Sequence, residues 1–226
     1  SRLDRDFYVD FTMPPPGPPI RILIDGGPSF VSESVVAYEL GYRAQPNARF
    51  SYSLSPFYNV YKDLRTLELV QHPTPLVFAY RLENQIEGHA YGAEVWGDVL
   101  VTDTWRLKPA YSLLRTSFHL LPGSKDPTGP AGAGNDARHR FQLTSHWNVT
   151  PTFEIDGTLR HVSALPNPSV PAYWALNLHL GWRVGPHLET SLLGQNLLQS
   201  RHAEFGAPSS RSEIESGWMA RVVWTF

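Results

Sequence analysis

The residues able to do chemistry in this 226-residue chain are nine histidines and a set of acids and bases that recur at alternate positions. Metal-dependent hydrolysis would ask for a His-Glu-x-x-His or His-x-His spacing, and neither occurs. His146 and His179 share one parity in two alternating segments, where a polar lining is the expected role rather than metal ligation. His119 and His202 fall in two long connectors, where they are candidate contacts for a metal-bearing ligand. Gly132-Ala133-Gly134 lacks the third glycine of a dinucleotide loop, and no Gly-Lys-Ser/Thr is present, so the segment reads as a turn-rich loop. Cysteine is absent, which removes thiol nucleophiles, Cys-zinc sites and disulfides and is compatible with export. No enzyme is expected, and with it no catalytic residue and no cofactor. With 19 basic against 21 acidic residues and no basic run, nucleic acid is not an expected partner.

The charged residues are the more organised set. Glu39, Glu94, Glu154, Asp156 and Glu189 share a face with Arg43, Arg106, Lys108, Arg140, Arg160 and Arg221. Opposite charges at matched positions of neighbouring strands pair across them, so the expected role is a charged lining of a wet interior. Guiding an anionic ligand would use the same side chains.

The elements that hold these residues alternate with a period of two. In Ala172 to Arg183, Trp174, Leu176, Leu178, Leu180 and Trp182 oppose Tyr173, Asn177, His179 and Arg183, a strand pattern rather than the three-and-four spacing of a helix. The same alternation runs through segments beginning near Val36, Phe50, Tyr91, Trp105, Arg138, Phe153, His187 and Ser216, giving nine candidate strands. The last sets Trp218, Ala220, Val222, Trp224 and Phe226 against Met219, Arg221, Val223 and Thr225. No stretch reaches the roughly 20 apolar residues of a spanning helix, but strands of about ten residues suit a tilted bilayer crossing. A mean hydropathy of -0.27 allows this, because only alternate residues would meet lipid.

A water-soluble sandwich would show the same alternation. Connector lengths favour a barrel: short links at Ala44 to Ala48, Thr102 to Thr104, Thr150 to Thr152 and Val184 to Pro186 alternate with long ones at Val70 to Gly88, Ser117 to Ala137 and Leu198 to Glu215. Trp105, Trp147, Trp174, Trp182, Trp218 and Trp224 lie on the apolar parity near strand ends, as interfacial girdles do, rather than in one patch as a carbohydrate platform would. Residues 1 to 31, with Pro14-Pro15-Pro16-Gly17-Pro18-Pro19, read as a rigid extended loop and not as strand.

Four segments in order carry a family resemblance. Glu33-Ser34-Val35-Val36-Ala37-Tyr38-Glu39-Leu40-Gly41-Tyr42-Arg43 resembles a strand of TonB-dependent outer-membrane receptors. Phe57 to Leu64, Ala90 to Glu94 and Gly194-Gln195-Asn196-Leu197-Leu198 with His202 resemble later pieces of the same family, which the terminal strand completes. The resemblance implies an all-β, antiparallel transmembrane barrel, here partial, with about nine or ten meandering strands of a 22-stranded, plugged one. It implies that residues 1–226 are the C-terminal portion, with 1–31 an extracellular loop and 32–226 strands. The plug and about thirteen earlier strands would lie outside this sequence.

It further implies a cell outer-membrane location and import of a scarce small-molecule chelate, a ferric siderophore being the commonest class. The implied partners are outer-membrane lipid, the barrel-assembly machinery acting on a terminal signal at Trp224 and Phe226, and the TonB complex through the plug alone. A complete small barrel acting as pore or adhesin is the alternative, and a secreted β-sandwich binding protein a more distant one.

Overall fold

The computed structural model describes residues 5–13, 17–74 and 76–226, so Ser1 to Asp4 and the prolines Pro14 to Pro16 lie outside the described residues. The strands, in order, are β1 (Tyr8–Thr12), β2 (Arg21–Asp25), β3 (Ser34–Glu39), β4 (Tyr42–Asn47), β5 (Phe50–Thr74), β6 (Val77–Thr102), β7 (Trp105–Leu120) and β8 (His139–Thr150). They continue as β9 (Phe153–Val162), β10 (Leu165–Pro166), β11 (Ser169–Val170), β12 (Tyr173–Arg183), β13 (Leu188–Gln195), β14 (Arg201–Ala203), β15 (Glu213–Glu215) and β16 (Gly217–Trp224). One short 3-10 turn, Gly129–Ala131, is the helical element assigned by name among the described residues.

The nine expected strands form one meander. β3 and β4 both pair β5, and the order then runs β5-β6-β7-β8-β9-β12-β13-β16. Three expectations need correction. The first residues hold a hairpin, β1–β2, and β2 lies parallel to the start of β6 with Arg21 opposite Val77, so the sheet is mixed rather than purely antiparallel. The five-residue run Arg-Ile-Leu-Ile-Asp supplies the strand, and Arg21 grips Asp10 across the hairpin at 2.6 Å. Val70 to Gly88 is no loop, since β5 and β6 carry strand pairing up to Thr74 and from Val77. Two connectors hold hairpins of their own, β10–β11 in the short one after β9 and β14–β15 in the long one after β13.

Two compact units divide the chain. The first comprises residues 1–38, 58–91 and 116–134, and the second residues 39–57, 92–115 and 135–226. In the first, part of the apolar surface is buried against protein. On β6, Leu82, Ile86 and Ala90 are buried, alternating with Arg81, Glu83, Gln85 and Glu87. Phe30 is buried as well, in a segment held to the same strand by Asn84, whose side chain bonds both the N–H and the C=O of Val31. That attached segment explains the failed expectation for Val70 to Gly88: once both faces of a strand are lined by protein or water, alternation no longer marks a lipid-facing side.

The second unit follows the opposite rule, with large apolar side chains outside. Register places Trp105 opposite Trp147, Phe153 opposite Trp182 and Leu188 opposite Trp224 near the short turns. Further along the same strands Tyr111 lies opposite Phe141, His161 opposite Trp174, and Gly194 opposite Trp218. Between these belts sit Leu107, Leu143, Leu159, Leu176, Leu178, Leu180, Leu192 and Ala220. At ~3.3 Å per residue the belts stand about 20 to 26 Å apart along the strands, the scale of the apolar band between aromatic girdles, about 25 Å tall. Trp182, Trp218 and Trp224 remain 52, 64 and 59% exposed, which only an apolar surrounding would favour. Glu189, Ser191, Arg221 and Val223 occupy the other face of β13 and β16.

Candidate functional site

The polar face of the second unit collects most of the singled-out charges, and register decides which of them meet. β8 and β9 are joined by a turn at Pro151 and Thr152, which sets His146 opposite Asp156. β9 and β12 then set Asp156 opposite His179. One carboxylate therefore bridges two imidazoles: Asp156 Oδ1 lies 3.1 Å from His146 Nδ1, and Oδ2 lies 3.3 Å from His179 Nδ1. Glu154 Oε1 approaches the same His179 nitrogen at 3.9 Å.

A second cluster forms where the connector after β13 folds back. Asn196 adopts a left-handed backbone (φ 53°), and its N–H donates to Asn177 Oδ1 at 3.0 Å while its Nδ2 donates to the Ile214 carbonyl at 2.9 Å. His202, on β14, is buried, with Nδ1 3.1 Å from Asn196 Oδ1 and Nε2 3.2 Å from Glu204 Oε1, and it stacks on Tyr173 at 4.1 Å. Arg160 donates to the same Glu204 oxygen at 2.7 Å and lies over the Tyr173 ring at 5.6 Å. Asn196 and His202 thus act as the hook that holds the connector to β12. Glu204 was not singled out in the sequence because no periodicity marks a residue of a folded connector.

Burial pushes the Glu204 carboxyl up, but the hydrogen bond from His202, the charge of Arg160 and the Tyr173 hydroxyl outweigh it and leave it below the ordinary carboxylate range. Asp126, in the connector between β7 and β8, behaves alike. Burial pushes it up, and bonds from the Thr128 hydroxyl and the Leu67, Thr128 and Gly129 N–H groups bring it lower than usual. Asp126 and Glu68 together tie that connector to β5, since Glu68 accepts from the Ser124 hydroxyl at 2.7 Å and from the Lys125 N–H.

A carboxyl with a depressed folded pKa gives stabilisation that is complete above its unfolded value of about 4 and is lost as the pH falls through the lower folded value. Both connectors should therefore loosen on acidification below pH ~4 while the strands stay paired. Hydrogen exchange at residues 121–134 and 196–215, compared with β12 at the same pH, checks this. Equal protection of these connectors at pH ~3 and ~6 in the unmodified protein would contradict it.

The remaining singled-out residues are spread along the strands. Arg43, on β4, lies over the Trp96 ring at 5.2 Å. Arg106, on β7, is 3.5 Å from Asp98. Lys108 and Arg140 stand opposite Thr144 and Ser112, Glu189 opposite Arg183 and Val223, and Arg221 opposite Ser191. Glu39 ends β3, and Glu94 lies exposed on β6. Arg106 and Arg160 pair instead with Asp98 and Glu204, which the singled-out set did not include. His119 is within β7 and not in a loop, 3.1 Å from Glu87. Trp224 closes β16 opposite Leu188, and Phe226 lies fully exposed beyond it.

Solved structures share this fold at low identity. The FrpB iron transporter from Neisseria meningitidis superposes with a TM-score of 0.68 at 16% identity, over 90% of this chain and 33% of that one. The siderophore receptor PirA from Acinetobacter baumannii gives 0.66 at 14% identity, over 97% and 36%. The ferric-catecholate import receptor Fiu from K12 E. coli gives 0.64 at 16%, over 88% and 28%. The chain thus spans about a third of the length of the solved structures it matches. No curated protein sequence matches it. Residues 5–197 match the family described as TonB dependent receptor-like, beta-barrel, and with the girdled meander of strands in place the chain belongs to that family.

Proposed function

We propose that the chain is the C-terminal portion of the barrel of an outer-membrane receptor that imports a scarce chelated-metal ligand, a ferric siderophore, with energy delivered through TonB. The family match over residues 5–197 carries this reading. The belts of the second unit support it, because they give a strand array whose apolar face suits lipid and whose polar face suits a wet lumen. The short turns then face the periplasm, and the connectors 121–138, 163–172 and 196–216 face outward, where a ligand arrives. Solved proteins of the same fold bear names of iron transport, siderophore reception and copper transport, which favours a metal-bearing cargo over a saccharide.

Transport of this kind makes and breaks no covalent bond, and the family is one of receptors rather than catalysts. Lipid and the assembly machinery that inserts outer-membrane barrels are the implied partners of the strands, and TonB acts through the plug that such receptors carry ahead of the barrel. His119, half-exposed beside Glu87, and the connector held by His202 are the candidate points of ligand contact in this chain.

Uptake of radioiron bound to a panel of siderophores tests the proposal. Deleting the gene that encodes the chain should reduce uptake of one chelate class to background, as should removal of TonB. Unchanged iron uptake together with slower passive entry of small solutes would identify a pore instead.

A further inference from the structure

The row His146, Asp156, His179 crosses three adjacent strands on one face, and a fourth ligand-type side chain leans into it. Glu154 stands opposite Gly181, and a Cβ at that glycine would come within 2.7 Å of Glu154 Oε1. The missing side chain at Gly181 is therefore what lets Glu154 reach toward His179. We propose that Glu154, Asp156 and His179 form a binding site for a divalent transition-metal cation of the zinc class, with His146 holding the Asp156 carboxylate from the neighbouring strand.

The geometry carries the assignment. Ligands at about 2.0–2.1 Å from a tetrahedral ion stand about 3.3–3.4 Å from one another. The separations here are 3.1 Å for His146 Nδ1 to Asp156 Oδ1, 3.3 Å for His179 Nδ1 to Asp156 Oδ2 and 3.9 Å for His179 Nδ1 to Glu154 Oε1. The ligand atoms of Glu154, Asp156 and His179 all lie within 4.8 Å of one another, a three-ligand set that leaves a fourth position to water. Two carboxylates balance the charge of a dication. The imidazole favours zinc, copper, nickel or cobalt over magnesium and calcium, which prefer oxygen alone. Side-chain exposures between 33 and 49% leave the cluster open to ions from solution.

Cross-strand bonding of β9 and β12 through one ion is the structural consequence, with β8 joined through the contact of His146 with Asp156. Most of the ligation comes from directly opposed positions, so a register slip of one residue would dismantle it. The site lies on the barrel wall and does not depend on which chelate the receptor imports.

The test uses the intact receptor in detergent, stripped of metal and titrated with Zn2+ by calorimetry and with Co2+ by visible absorption. One ion is expected to bind at this site with the intense bands of tetrahedral cobalt. Asp156→Asn and His179→Gln should each weaken that binding at least tenfold, and His146→Gln should weaken it less. His187→Gln, at a histidine bonded to the Thr225 carbonyl, should leave it unchanged. Gly181→Ala, which displaces Glu154 without removing any ligand, serves as a second probe should a ligand variant fail to fold, and it too should weaken binding. Absence of saturable binding, or equal affinity in the unmodified, Asp156→Asn and Gly181→Ala proteins, overturns the proposal.

Discussion

Arginine at position 178 is expected to cost about 2–4 kcal/mol of folding free energy in a bilayer, whereas arginine at the adjacent position 177 should cost well under half as much. Leu178 lies midway between the belts, opposite Gly157 of β9 and Gly194 of β13. A guanidinium there has no polar neighbour on its own face, and in lipid it must drag water or headgroups inward. Asn177 is on the polar face opposite Thr158, where a charge stays wet and the replacement costs chiefly the bond from the Asn196 N–H, about 1 kcal/mol. Unfolding by denaturant in lipid vesicles gives both numbers. Equal costs at 177 and 178 would mean that the even face of β12 does not meet lipid.

The second large effect is at Gly92. A Cβ built there lies 1.9 Å from the Leu113 carbonyl oxygen of β7 and 2.8 Å from Phe57 of β5. The first obstacle is backbone, so it yields only if β6 and β7 separate locally. Gly92→Val should destabilise by about 3 kcal/mol, at the upper end of overpacking changes, and lower the yield of folded protein. Gly41→Val is the matched control, since a Cβ at Gly41 meets nothing within 4 Å. Heat-modified mobility on gels, which separates folded from unfolded barrels, reads both variants. A Gly92→Val protein as stable as Gly41→Val would show that the two strands do not approach as closely as described. The resemblance had placed Gly92 in a family motif, Ala90 to Glu94, and the close approach is the physical reason a glycine is needed there.

The strands of the second unit were legible because lipid-facing and polar residues alternate without interruption, as in Tyr173 to Arg183. The first part of β6 was not, because Leu82 and Ile86 are buried and Asn84 between them binds the Val31 segment, so the alternation there reports a protein contact. Short strands such as β10, β11, β14 and β15 span two or three residues, less than one full alternation, and leave no periodic trace. The hairpin β1–β2 escaped for a related reason: prolines at 18 and 19 lie in its turn and mask the apolar run Ile22-Leu23-Ile24 that follows.

For the site, parity was readable and register was not. His146 and His179 were seen to share a face, but that both lie beside Asp156 follows from pairing across two strand boundaries, one of them with a register shift between Asn148 and Thr150. The turn at Thr150 to Thr152 was the available signal, since a short turn limits which residues can oppose. Asn196 and His202 were noticed as part of a motif. Their work as a hook depends on contacts with Ile214 and Glu204, far side chains that no local pattern ties to them.

A single-cysteine scan along β12 tests the central claim most directly, since the chain contributes no cysteine of its own. With spin labels placed one at a time from Tyr173 to Arg183 in the receptor reconstituted into liposomes, relaxation by oxygen and by a water-soluble nickel complex would be compared. Oxygen accessibility should peak at 174, 176, 178, 180 and 182, and nickel accessibility at the solvent-reached odd positions 177, 179 and 183, with the contrast greatest at Leu178. Loss of that alternation, or nickel access at the even positions, would contradict an outer-membrane barrel wall and with it the transport reading.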